Sequence, residues 1–189
     1  VYPIEKANES KGKEDILQKV QKSKNSPAKE LLDISLDAEE YTVTFVANGQ
    51  TVTRKALFDW SKEDNERIRY YSGTAIYKTT FPWKYKEQKD RQVYLHLGTV
   101  YNLATVRVNG IDCGTVWTAP YRADITAALK KGTNELEIEV TNTWANALKG
   151  TDEGKAPFEG IWTNAKYRKQ ENTLLPGGLL GPLYLEQSN

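Results

Sequence analysis

The sequence predicts an all-β fold: a jelly-roll β-sandwich over residues 31–189, preceded by a short, partly helical N-terminal extension or linker over residues 1–30. Three observations carry that expectation. Period-2 alternation recurs in Val93–Leu97, Ala104–Val108 and Leu136–Val140, as in strands with one face in a core and one in water. Asn48-Gly49 and Asn109-Gly110 are tight-turn signals, because both residue types tolerate positive φ. Strand-sized runs separated by turn residues then repeat along the chain at the spacing of a sandwich.

In chain order, Val1 to Pro27 is polar and lysine-rich, with one short amphipathic stretch at Ile16, Leu17 and Val20. Leu31 to Leu36 reads as a strand, and Tyr41 to Val46 as another, with Tyr41, Val43 and Phe45 alternating with threonines. Asn48-Gly49 turns the chain into Thr51 to Leu57 and makes a hairpin. Phe58 to Glu66 reads as a loop of aromatics and acids. Tyr70 to Phe81 is the next strand, ended by Pro82, which cannot donate to a ladder. Trp83 to Arg91 is a charged connection, and Trp144 to Ala147 a helical turn followed by a long loop from Gly150 to Gly160. Leu183 to Leu185 closes the fold by pairing with an early strand.

Within the central block, V-x-V-N-G (Val106–Gly110), C-G-x-V-W (Cys113–Trp117), P-Y-R-x-D-I-T (Pro120–Thr126) and G-x-N-x-L-x-I-x-V (Gly132–Val140) follow one another. Tyr71–Tyr77 stands upstream, with Asn142–Asn146 and Leu175–Pro182 downstream. Together these resemble the sugar-binding, galactose-binding-like domain of glycoside hydrolase family 2, and the related module of α-L-rhamnosidase-like enzymes. The resemblance covers about Glu39 to Glu186. It implies a non-catalytic carbohydrate-binding or scaffolding module of a secreted, periplasmic or outer-surface glycoside hydrolase. Its partners would be a saccharide and a neighbouring catalytic domain that carries the catalytic carboxylates. A binding module on a surface protein with no enzyme attached is the alternative.

Composition bounds the rest. Lys plus Arg (26) and Asp plus Glu (25) nearly cancel, so no basic excess argues for nucleic acid. Nothing resembles a membrane span or a signal peptide. The absence of methionine leads to the expectation of a module from a longer protein. A single cysteine, Cys113, excludes an intrachain disulfide and is expected to be a buried, inert thiol. A monomer is expected, with no cofactor. A structural calcium ion is an alternative, although no D-x-D-x-D-G spacing occurs and Arg67 and Arg69 stand beside the acids Asp59, Glu63, Asp64 and Glu66.

His96, the only histidine, has no nucleophile motif beside it, and a structural role is favoured. Glycoside hydrolysis needs two carboxylates about 5 to 10 Å apart, which sequence alone does not place. Asp124 is expected to cap the turn at Thr126, with Arg122 pairing with a carboxylate. The candidate ligand-binding set is Trp117, Tyr121, Arg122, Asn142, Trp144, Asn146, Glu159 and Trp162, since sugar ring faces stack on aromatics while amides, Arg and carboxylates read hydroxyls. For Trp117 and Trp144 the bland reading, rings plugging the ends of the sandwich, is favoured, whereas Trp162 is expected to be exposed. Trp60 and Trp83 sit in polar connections that could face a neighbouring domain.

Overall fold

The structure, a computed structural model, describes residues 31–36, 38–84, 91–155, 161–164 and 173–188. Those residues form two main antiparallel sheets. The six-stranded sheet has the order β3 (Gln50–Arg54), β2 (Tyr41–Phe45), β4 (Thr74–Trp83), β10 (Gly132–Thr141), β7 (Leu103–Val108), β8 (Ile111–Val116). The four-stranded sheet has the order β1 (Leu31–Ser35), β12 (Tyr184–Ser188), β5 (Gln92–His96), β9 (Arg122–Asp124). A short ribbon pairs β6 (Thr99–Tyr101) with β11 (Gly178–Gly181). This is the all-β sandwich expected from the alternation.

The alternation sets the register. Tyr41, Val43 and Phe45 of β2, Ala75, Tyr77 and Phe81 of β4, Leu136, Ile138 and Val140 of β10, and Ala104, Val106 and Val108 of β7 all point inward. They share one core with Val93 and Leu95 of β5, Ala123 of β9 and Leu185 of β12. A one-residue slip in any of these strands would turn its whole apolar set to water, so burial fixes the pairing. The β7–β8 turn has Asn109 at φ 52° and Gly110 at φ 78°, the doubly left-handed turn that Asn-Gly favours. Asn109 also donates to the side chain of Asn134, which is fully buried and bonded to the backbone of Lys130 and Gly132. Opposite Val106, β8 bulges at Cys113 and Gly114, with Gly114 at φ 96°.

Three local expectations change. Pro82 lies inside β4 rather than ending it: β2 pairs with β4 only as far as Lys78, so at Pro82 the strand has β10 alone as neighbour. The stretch after Phe58 is a 3₁₀ turn at Trp60–Lys62 and a short helix α1 (Glu66–Arg69), started by the side chains of Asp59 and Asn65. The helical turn at Trp144 becomes a helix, α2 (Ala145–Asp152), that takes up the first part of the expected loop. The expectations for residues 1–30 and 156–160 fall outside the described residues.

Trp60 and Trp83 do not face outward. Trp60 is fully buried, edge-on to Phe45 and Tyr71 with ring centroids 5.3 and 5.7 Å away, and Trp83 is buried at the far end of β4. Backbone explains Trp60: its N–H donates to Gly177 O, and Gly178 lies against the indole so closely that a Cβ there would sit 2.4 Å from Nε1. The indole N–H donates to Tyr77 Oη at 2.7 Å, which also accepts from Leu179 N–H. Burial holds the Tyr77 phenol well above its ordinary value, so it stays protonated.

Candidate functional site

One end of the sandwich collects the strand ends from which the candidate residues project. There β10 finishes at Thr141 opposite Thr74, where β4 starts, and opposite Leu103, where β7 starts. Val116, the last residue of β8, pairs with Ala104, while β5 finishes at His96 opposite Arg122 of β9 and Tyr184 of β12.

Trp117 is the first residue beyond β8 and is 73% exposed. β8 is the outermost strand of its sheet among the described residues, and the ring leaves its end into solvent. Trp144 is 64% exposed at the head of α2. That helix packs through small residues: Asn146, Ala147 and Gly150 are buried, and a Cβ on Gly150 would come within 2.9 Å of Tyr70 Cβ. The helix therefore lies flat on the body and leaves the tryptophan outside. Both rings were expected to plug the sandwich, and both are in solvent instead. Trp162, on the connection between α2 and β11, is 77% exposed beside a buried Ile161.

The polar candidates are held by the fold. Asn142 accepts from Gly73 N–H and donates to Tyr71 O, each at 2.9 Å, stitching the end of β10 to the start of β4. Asn146, 3% exposed, uses its amide like a strand residue, donating to Leu175 O at 2.7 Å and accepting from Leu175 N–H at 2.8 Å. Tyr121 is half-buried against the core, and its carbonyl accepts from Leu97 N–H. Arg122 pairs with Glu186 at 3.3 Å while its guanidinium lies 4.4 Å over the Tyr94 ring. The other oxygen of Glu186 meets His96 Nε2 at 2.9 Å, and His96 stacks on Tyr184 at 4.4 Å. The lone histidine is thus buried in an aromatic and ionic network, with no nucleophile among its described partners. Glu159 lies outside the described residues.

Asp124 accepts from Thr126 N–H at 3.0 Å and from its hydroxyl, which fixes the 3₁₀ turn that follows β9. Cys113 is half-buried rather than buried, and burial pushes its thiol up, away from the reactive thiolate. The acids before and at the start of α1 are paired: Glu63 with Arg54 at 2.8 Å, Asp64 with Arg69 at 3.7 Å and Glu66 with Lys155 at 3.4 Å. Among the described residues no group of three His, Cys, Asp or Glu side chains is placed to hold a metal ion.

Sequence reasoning did not single out the ladder on the outer face of the six-stranded sheet. Glu137 of β10 stands between its cross-strand neighbours Lys78 of β4, at 3.0 Å, and Arg107 of β7, at 3.1 Å. Arg107 also contacts Glu139. The Lys78 hydrogen bond, ahead of the Arg107 one, holds the Glu137 carboxyl below the usual carboxylate range. The alternation of Glu135, Glu137 and Glu139 was the available signal, since period 2 puts all three on one face.

The profile of the glycosyl hydrolase 2 galactose-binding domain-like family matches residues 50–174, from β3 to the segment before β11. The chain belongs to that family. A protein of Formosa agariphila named as a candidate β-glucuronidase is 36% identical over 174 residues, covering 77% of this chain and 15% of its own length. The rhamnosidase structure from Novosphingobium sp. PP1Y superimposes with a TM-score of 0.75 at 34% identity, covering 85% of this chain and 16% of that one. The FMN-binding β-glucuronidase structure from Facaelibacterium prausnitzii L2-6 gives a TM-score of 0.56 at 25% identity, covering 84% of this chain and 23% of the other. The family module therefore spans only about a sixth of the first two proteins it resembles.

Proposed function

We propose that this family module is a non-catalytic part of a multidomain glycoside hydrolase, and that it holds saccharide against the exposed tryptophans Trp117, Trp144 and Trp162. The single supporting observation is those three rings, each more than 60% exposed, on a framework that has buried its other two. Indole faces present large apolar area at low conformational cost, which suits the C–H face of a pyranose. Tyr121 and Arg122 stand beside Trp117 on the same loop and strand, and the bonds of Asn142 and Asn146 keep the surrounding backbone rigid. In this reading Asn142 and Asn146 position the site, and hydroxyl recognition falls to Arg122, to loop backbone and to Glu159.

The described carboxylates near this end support a non-catalytic role. Asp124 is engaged in its turn and Glu186 is shared between His96 and Arg122. Hydrolysis needs one protonated and one ionised carboxyl facing a common sugar. In this proposal the catalytic pair is supplied by the remainder of a longer, secreted or periplasmic polypeptide.

Titration of the chain with a panel of plant and microbial oligosaccharides, read by tryptophan fluorescence and calorimetry, tests the proposal. A saturable response that Trp162→Ala or Trp117→Ala weakens about tenfold is expected. Binding unchanged in both variants would overturn the site, and aryl-glycoside turnover above the uncatalysed rate would overturn the non-catalytic role. A second reading has its own support. Because the module is about a sixth of the proteins it resembles, the same rings could be a docking face for a neighbouring domain. Restoration of a blue-shifted tryptophan emission by that domain, and by no saccharide, would favour it.

A further inference from the structure

A groove of about 510 Å³ opens on the outer face of the six-stranded sheet, away from the loops that carry the exposed tryptophans. Its volume lies inside the roughly 300–1,000 Å³ of small-molecule sites. It exists because β2 stops short: the last β2–β4 pair in that direction is Thr42 with Lys78, and the chain before it peels away. One wall is fixed where the Thr79 hydroxyl donates to Glu40 O at 2.7 Å. Thr42, Lys78, Thr80, Arg107, Glu135 and Glu137 line the groove.

The lining alternates donors and acceptors on a stiff support. Glu137 holds both Lys78 and Arg107, so the spare N–H groups of each are presented in set directions without further ordering cost. The Thr42 and Thr80 hydroxyls, which both donate and accept, lie in the lining, and the Glu135 carboxylate is in no ion pair among the described residues. Sugar hydroxyls need just such paired donors and acceptors. The lining carries four carboxylates, with Glu39 and Glu40, against two cations, and so repels an anion. Its only apolar side chain is Leu136, and no aromatic ring is present, so recognition there is by hydrogen bonds.

We infer that this groove is a second binding site, distinct from the tryptophan-bearing end, for a neutral polyhydroxylated ligand such as a short oligosaccharide. It is independent of the tryptophan site and stands if that one fails. With hydrogen bonds and no ring stacking to hold the ligand, the expected affinity is in the millimolar range.

Amide-resolved NMR titration of the chain with cellotriose, xylotriose and maltotriose, and with trigalacturonate as the anionic counterpart, tests it. The expected result is saturable shifts at Lys78, Thr80, Arg107 and Glu135 with at least one neutral probe and none with trigalacturonate. Glu135→Gln and Lys78→Gln, exposed substitutions that leave the core untouched, should weaken it by about tenfold. A Trp117→Ala, Trp144→Ala double variant should leave it unchanged. Shifts confined to the tryptophan loops, no saturable shift with any neutral probe, or equal binding of trigalacturonate would each overturn the inference.

Discussion

Four of the five tryptophans fall into two groups that sequence context would have sorted the other way, Trp162 alone being exposed as expected. Trp60 and Trp83 stand in polar, charged stretches and are buried, whereas Trp117 follows a strand-like run, Trp144 opens a helical turn, and both are in water. What separates them is the backbone laid over each ring. The Gly177–Gly178 segment, more than a hundred residues away, closes over Trp60, while Trp117 leaves a strand that is the edge of its sheet among the described residues. Burial of an aromatic is a property of the fold's layers, and an uncovered indole on a rigid support is area available to a ligand.

Substitutions at the two groups should differ accordingly. Trp60→Ala removes a fully buried ring and its bond to Tyr77, and urea unfolding should show a loss of about 3–5 kcal/mol. A loss under about 1 kcal/mol would break the comparison. Gly178→Ala attacks the same contact from the other side, with a Cβ 2.4 Å from the indole nitrogen and φ at 101°. It should cost roughly 1–3 kcal/mol, and Trp60→Phe should recover part of that loss in the double variant.

The outer ladder gives an intermediate scale. Glu137 has its carboxyl pKa lowered in the fold, first by Lys78 and then by Arg107, so its contribution is complete above the unfolded carboxylate pKa. It disappears as pH falls through the lower folded value. Because the pair is partly in solvent, Glu137→Gln should cost at most ~1 kcal/mol at neutral pH and should flatten the acid limb of stability against pH. An unchanged acid limb would remove the ladder from the account. Smallest of all, Ala at Trp117, Trp144 or Trp162 should change stability by no more than about 0.5 kcal/mol. The triple variant should lose the emission that acrylamide quenches and keep the blue-shifted part.

The strands were legible because their pattern is local. Alternation in β2, β5, β7 and β10 and the Asn109-Gly110 turn name their own structure, and Asp124 is bonded to Thr126 two residues on. The misread parts depend on distant chain. Pro82 is tolerated inside β4 only because β2 has ended, and α2 lies flat because Gly150 meets Tyr70. The amides of Asn142 and Asn146 look free in sequence, yet each is spent on backbone roughly 30 to 70 residues away. The three carboxylates of β10 could be seen to share a face, but not that Lys78 and Arg107 from neighbouring strands brace Glu137 and Glu139.

β12 lies between β1 and β5, with Ser188 opposite Leu31 on one side and opposite Gln92 on the other. The last of the described strands is therefore an interior strand of the sheet that contains the first of them. β1 and β5 keep the edges that β12 will join open until that strand arrives, and such long-range closure is slow. A chain broken off before Leu183 would expose two unpaired strand edges and a bare core face to the chaperones and proteases that survey nascent proteins. The position of one strand thus makes closure of the four-stranded sheet all-or-none with respect to β12.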